Sequence, residues 1–345
     1  MDTIVVNSLL ALITAFGVAA LLGPILIPVL HRLKFGQNVR DDGPQTHLKK
    51  QNTPTMGGVM ILIAIVIATL IFARKNYSLA IIALLMAVLF GLIGFFDDFI
   101  KIMKKRSLGL RAWQKIVAQF VLALGFALVM YFHPQIGSTI WFDRVDLGIF
   151  FIPFAMFVII GTVNSVNLID GLDGLSSSVT SVYSTATGVM IVLFVLTYSH
   201  RAILTAEQTV LEQNMLEGLS GMSVFAFATA GGCLGFLVHN VYPAKVLMGD
   251  LGAFTLGGAV AAMALLTRTS LLLPLMGVMY VATSVSVILQ VGSYKLRNKK
   301  RIFRMAPLHH HFELGGTPET KIVSMYSVVT AIASAGALLV FWLCK

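Results

Sequence analysis

Long apolar runs separated by polar loops fill this chain from end to end. A run needs about 20 apolar residues to cross the hydrocarbon core of a bilayer. Ten segments approach or exceed that length, at residues 4–30, 55–73, 78–98, 114–132, 148–166, 178–198, 219–239, 251–267, 271–293 and 322–343. Ser and Thr dilute the sixth, and the ninth can run on as an amphipathic helix through 294–303. The pattern predicts an all-α polytopic integral membrane protein with about ten transmembrane helices. Nothing in it resembles a solenoid repeat or a domain linker, so residues 1–345 read as a single transmembrane domain. Residues 133–147, with Pro134, Gly137 and the β-prone 139–142, suit a short hairpin. The polar stretch 199–218 suits a surface helix.

Composition agrees with the pattern. The chain is 57% hydrophobic and 12% charged, with mean hydropathy +0.87, whereas a soluble domain carries about 25% charged residues. The net charge of +10 is therefore no sign of nucleic-acid binding, because membrane proteins gather Lys and Arg in cytoplasmic loops. Ten spans place 19 of the 25 Lys/Arg on one side, in 31–54, 99–113, 167–177, 240–250 and 294–321 together with Lys115. The positive-inside rule puts that side in the cytoplasm and both termini outside. Cys233 and Cys344 lie in apolar runs and offer neither a disulfide framework nor metal-ligand spacing. Without a basic start or a small-residue cleavage site, the run from Ile4 reads as a retained first span.

Five aspartates stand at the ends of these runs: Asp97, Asp98, Asp170, Asp173 and Asp250. A carboxylate at bilayer depth costs roughly 2.5–3.5 kcal/mol. The orientation above places all five on the cytoplasmic face, with His309, His310, His311 and Glu313. Acids gathered in this way point to a cation site or a reaction centre. Asp97 and Asp98 close the third span, where adjacent carboxylates repel unless a cation holds them. A solvated helix end suits them poorly, because a helix C-terminus carries negative partial charge. Asn167, Asp170 and Asp173 are spaced by three, which a helical turn would align on one face. Short oxygen ligands beside Gly171 and Gly174 suit Mg2+ or a phosphate-bearing ligand. Capping by Asp173 or Ser176 alone would use one such residue, not three. Asp250, just before the run from Leu251, reads on its own equally as a helix N-cap or a metal ligand; the other four acids favour the metal.

The run 306–313 reads as a loop between spans nine and ten. Three consecutive histidines cannot face one way on a helix, so a zinc ion held by all three is disfavoured. A turn at Pro307 would present one or two of them toward a phosphate or as acid–base groups. Lys49 and Lys50 precede Thr53-Pro-Thr55-Met-Gly57-Gly58, a combination suited to an anion. Lys101, Lys104, Lys105, Arg106 and Arg111 mostly suit anionic lipid headgroups, while Lys115, next to the membrane after Trp113, is the best candidate for a substrate contact. Oxygen ligands for Mg2+, cations and candidate bases on one membrane face are the parts phosphoryl transfer requires. The membrane setting suggests that one substrate is a lipid phosphate.

At Thr53–Gly58, Phe96-Asp-Asp98, Asn164–Gly174, Met248-Gly-Asp250 and Pro307–Glu313, the chain resembles the polyprenyl-phosphate hexose-1-phosphate transferase superfamily. Within it the histidine motif is most similar to the phospho-N-acetylmuramoyl-pentapeptide transferases, more so than to the related N-acetylhexosamine-1-phosphate transferases. The resemblance runs nearly end to end. It implies a homodimer in the bacterial inner (cytoplasmic) membrane, with its active site on the cytoplasmic face. It implies Mg2+, and transfer from UDP-MurNAc-pentapeptide to undecaprenyl phosphate with release of UMP. It implies Asp250 as the principal Mg2+ ligand, Asp97 as base with Asp98 in support, and His309 and His310 as catalytic groups. Lys49, Thr55, Lys115, Asn167, Asp170, Asp173, Asn240 and His311 would line the substrate site, and Gly174, Leu175 and Ser176 the uridine pocket. A prenyl-diphosphate prenyltransferase is the more distant alternative, but Asp97–Asp98 is followed by Phe-Ile-Lys and not by the second Asp-rich repeat such an enzyme needs.

Overall fold

The computed structural model describes residues 2–33, 53–73, 77–104, 109–141, 144–205 and 210–344. Its helices are α1 (Asp2–Arg32), α2 (Gly58–Phe72), α3 (Tyr77–Met103), α4 (Ala112–Phe132), α5 (Phe151–Ile169), α6 (Leu175–Thr205), α7 (Val210–Asn240), α8 (Gly249–Leu266), α9 (Leu273–Met276), α10 (Val278–Leu296), α11 (Leu308–Glu313) and α12 (Glu319–Cys344). Each expected span coincides with a helix, except the ninth, which coincides with two. Among the described residues eight are long and apolar enough to cross a membrane: α1, α3 to α8 and α12. Of the other two, α2 is apolar but has only 15 residues, and α10 carries Thr283, Ser284, Ser286, Gln290 and Ser293.

The core is organised around α8, in which every residue from Leu251 to Leu266 is buried. Its Gly- and Ala-rich sequence lets α3, α5 and α2 approach closely. Gly94 of α3 shows how closely, since a Cβ there would lie 2.1 Å from the backbone oxygen of Asp250. The helix α1 packs along α7. Pro24 has no N–H, so the Ala20 carbonyl lacks its helical donor. His239 of α7 lies 2.8 Å away and donates from Nε2 to that carbonyl.

Four local readings are corrected. The third span does not close at Asp97–Asp98; α3 continues for another turn to Met103. The segment 199–218 is no separate surface helix, because α6 runs on to Thr205 and α7 starts at Val210. The ninth span is broken at Gly277 into α9 and α10, and α10 stops at Leu296. Asn298 and Lys299 then adopt φ values of 49° and 64°, and Gln290 accepts the N–H groups of Ile302 and Phe303, which turns the chain back. The histidine run is not a loop but the short helix α11. The expected hairpin is present as β1 (Thr139–Ile140) paired antiparallel with β2 (Val145–Asp146).

Candidate active site

Four helices deliver polar groups to one end of the bundle. The last two turns of α3 carry Asp97, Asp98 and Lys101; α8 begins with Asp250; Lys115 lies in the first turns of α4 and Asn167 in the last turn of α5. The Lys101 ammonium lies 2.7 Å from Asp97 Oδ2, 3.3 Å from Asp98 Oδ1 and 3.0 Å from Asp250 Oδ2. Lys115 Nζ lies 3.0 Å from Asp97 Oδ1 and 2.8 Å from Asp250 Oδ2. Asn167 Nδ2 donates to Asp250 Oδ1 at 3.0 Å.

Backbone geometry makes this convergence possible. Gly249 has φ +75°, and a Cβ there would meet Asp98 Oδ2 at 2.5 Å and Thr55 Oγ1 at 2.8 Å. Asp98 Oδ2 accepts the Leu251 N–H at 3.1 Å, satisfying one of the free donors at the start of α8. Asp98 thus anchors α8, and Asp250 is left to face the site. Residues 54–58 strap this corner: Leu247 N–H donates to Pro54 O, Gly57 N–H to Leu247 O and Gly58 N–H to Met248 O. Asp97 is fully buried and also accepts the Leu110 N–H at 2.8 Å. The Asp250 side chain is 17% exposed against 0% and 2% for Asp97 and Asp98, so it is the acid most open to a ligand.

One oxygen from each of Asp97, Asp98 and Asp250 lies within 4.8 Å of the others. Three carboxylates against two ammonium groups leave the cluster formally anionic, and hard oxygen donors match a hard divalent cation. The residues present therefore fit Mg2+.

A second constellation surrounds the turn after α5. That helix ends at Ile169, so Asn167, Asp170 and Asp173 do not share a helical face as their spacing suggested. Asn167 bonds Asp250, and Asp170 sits half-buried at the helix end. Asp173 accepts the Ala244 N–H at 3.0 Å, while its own N–H donates to the Glu319 carboxylate of α12. Gly174 has φ +78° and donates its N–H to Asn240 Oδ1 at 3.0 Å; Asn240 Nδ2 in turn donates to Val246 O at 2.8 Å. Leu175 and Ser176 are buried at the start of α6.

The three histidines of α11 do point in different directions. His309 is buried against Gly171, where a Cβ would lie 2.2 Å from its Nε2. His310 Nδ1 pairs with Glu313 Oε2 at 3.0 Å, and His311 Nδ1 accepts the Arg304 N–H at 3.1 Å. Thr55 is half-buried beside Gly249, and Lys49 lies outside the described residues. Lys101 and Glu319 join these constellations although sequence reasoning gave neither a place. Lys101 had a local signal, because it stands four and three residues after the two aspartates on one helix; Glu319 is too distant in sequence to give one.

The family described as glycosyl transferase family 4 matches residues 80–268, and the phospho-N-acetylmuramoyl-pentapeptide-transferase signature 1 matches residues 50–62. The chain is 46% identical over 330 residues to the phospho-N-acetylmuramoyl-pentapeptide-transferase of Thermoanaerobacter sp. (strain X514), covering 94% of this chain and 96% of the relative. It is 48% identical over 328 residues to the protein of that name from Caldanaerobacter subterraneus subsp. tengcongensis, covering 94% and 95%. It is 44% identical over 322 residues to the one from Clostridioides difficile (strain 630), covering 92% of each chain.

Proposed function

The chain belongs to the phospho-N-acetylmuramoyl-pentapeptide-transferase family, and from that membership we propose how the acidic centre performs the reaction. The function is in peptidoglycan synthesis: phospho-MurNAc-pentapeptide passes from its UDP-linked form to undecaprenyl phosphate, giving lipid I and UMP. The observation that carries the mechanism is the meeting of Asp97, Asp98, Asp250, Lys101, Lys115 and Asn167 at one end of the bundle.

In this reading Asp97 takes a proton, where one is present, from the lipid phosphate. The freed oxygen attacks the β-phosphorus, the bond to the UMP oxygen breaks, and UMP leaves. Asp98 supports by fixing the start of α8. Lys101 and Lys115 supply positive charge to the anionic groups in transit. Mg2+ held through Asp250 would neutralise diphosphate charge and orient it. Asp170, Asp173, Asn240 and His311 form the nucleotide-sugar wall with Gly174, Leu175 and Ser176; Thr55, beside Gly249, contributes to substrate binding, and Lys49 is assigned a substrate-binding role from the family resemblance alone. His309 and His310 serve as catalytic groups beside the 170–174 turn, a role that the packing of His309 on Gly171 supports. We place the site on the cytoplasmic face of the bacterial inner membrane, supported by the Lys/Arg asymmetry, in a single transmembrane domain that forms a homodimer.

The test is purified protein incubated with UDP-MurNAc-pentapeptide and undecaprenyl phosphate. UMP release should require Mg2+ and stop on addition of EDTA. Folded protein that releases no UMP overturns the assignment, and undiminished release after chelation removes the metal from it.

A further inference from the structure

The Asn164-Ser-Val-Asn167 segment carries more polar groups than Asp250 uses. Asn167 bonds Asp250; Asn164, one turn deeper on α5, bonds a different helix. Its Nδ2 donates to Gln119 Oε1 of α4 at 2.7 Å, and Gln119 Nε2 donates back to Asn164 Oδ1 at 3.5 Å. A further donation from Asn164 Nδ2 to Ile160 O at 2.8 Å fixes the orientation of the amide. Gln119 is 1% exposed. On α4, Gln119 follows Lys115 by four residues, and on α5, Asn164 precedes Asn167 by three, so each amide shares a helix face with a ligand of Asp250. Lys115 and Asn167 hold opposite oxygens of that carboxylate, Oδ2 at 2.8 Å and Oδ1 at 3.0 Å.

We infer that the Gln119–Asn164 pair is a positioning clamp, which sets the spacing of α4 and α5 so that Lys115 and Asn167 grip Asp250 from both sides. Lys115 has a flexible four-carbon stem and is 23% exposed, so its place depends on where α4 stands. On the other flank Ser284 of α10 donates to Ser165 at 2.6 Å. That bond holds α5 against a second neighbour, so movement of α4 is what the amide pair restrains. Interhelical polar bonds of this kind hold transmembrane helices together, and a misplacement of about 1 Å at a reacting group can cost up to about 100-fold in rate.

The kinetic part of the test rests on the transferase reading. Gln119→Leu and Asn164→Leu, in the full chain in nanodiscs, should each lower kcat about tenfold. KM for the UDP substrate should stay within about twofold, because neither residue touches the nucleotide turn. The exchange variant Gln119→Asn with Asn164→Gln keeps the summed length of the two amides and should recover kcat to within about threefold of wild type. A melting-temperature cycle needs no turnover. Gln119→Leu should reduce the destabilisation caused by Lys115→Met, because both act through the grip on Asp250. Unchanged kcat in the single variants, a folded exchange variant no better than they are, or additive melting shifts would overturn the clamp. Coupled melting shifts among the variants, together with a folded wild-type protein that releases no UMP, would sink the transferase reading and leave the clamp standing.

Discussion

Replacing Lys101 by Met removes one ammonium from within about 3 Å of three carboxylates. The cluster then holds three acids and one cation, Lys115. Carboxylate oxygens within 4.8 Å of one another repel by at least about 3 kcal/mol per pair at an effective dielectric of about 20. Removing one partner of a buried ion pair typically costs roughly 3–5 kcal/mol. The Lys101 side chain is 30% exposed, and water would screen part of that loss, so about 2 kcal/mol is the expected penalty. If the same contact stabilises charge moving through the site, kcat/KM should fall about thirtyfold. The assay is steady-state UMP release at saturating Mg2+. Lys104→Met, which removes an exposed charge just beyond the end of α3, serves as the control and should stay within about twofold. A Lys101→Met enzyme within about threefold of wild type would refute the claim that this ammonium belongs to the reacting centre.

Two further substitutions probe the same corner of the fold. Asp250→Asn should abolish UMP release while leaving the helical circular dichroism signal unchanged, and near-normal turnover would refute the proposed metal-binding role of Asp250. Gly94→Ala would drive a methyl group into the Asp250 backbone oxygen at 2.1 Å, costing about 1–3 kcal/mol as a lowered melting temperature and displacing Asp250 from Lys101. Gly125→Ala on α4, where the added Cβ meets open space, should melt like wild type; equal effects at the two positions would refute close α3–α8 packing as the cause.

The spans were legible because membrane crossing needs length and apolarity, and both can be read from any window of the sequence. That Asp97, Asp98 and Asp250 lie at one end of the bundle was expected from their places at span ends; that these three, and not Asp173, meet one another was not. What stayed hidden depended on chain direction at a single residue. Asn167, Asp170 and Asp173 have helical spacing, but α5 stops at Ile169, and the turn that follows sends Asp173 toward Ala244 instead of Asp250. Lys101 was grouped with headgroup-facing lysines because positive-inside charge explains most cations there. Only the extra turn of α3 carries it back over its own aspartates. Asp98 has a second task as acceptor for α8, which requires knowing that residue 251 lies beside residue 98; no local pattern contains that contact.

The bond from the Asp173 N–H to Glu319 has a consequence for how the protein is made. The two residues are 146 positions apart in the chain, and α12 leaves the ribosome after the other helices described above. At about 5–20 residues per second, the 170–174 turn waits roughly 7–30 s after its own synthesis before Glu319 exists. Throughout that interval a nascent chain already holds Asp97, Lys101, Lys115 and, from about its midpoint, Asp250, yet the Asp173–Glu319 bond cannot form. The order of synthesis thus makes this turn one of the late features of the fold, since the carboxylate that accepts from its backbone is supplied by α12.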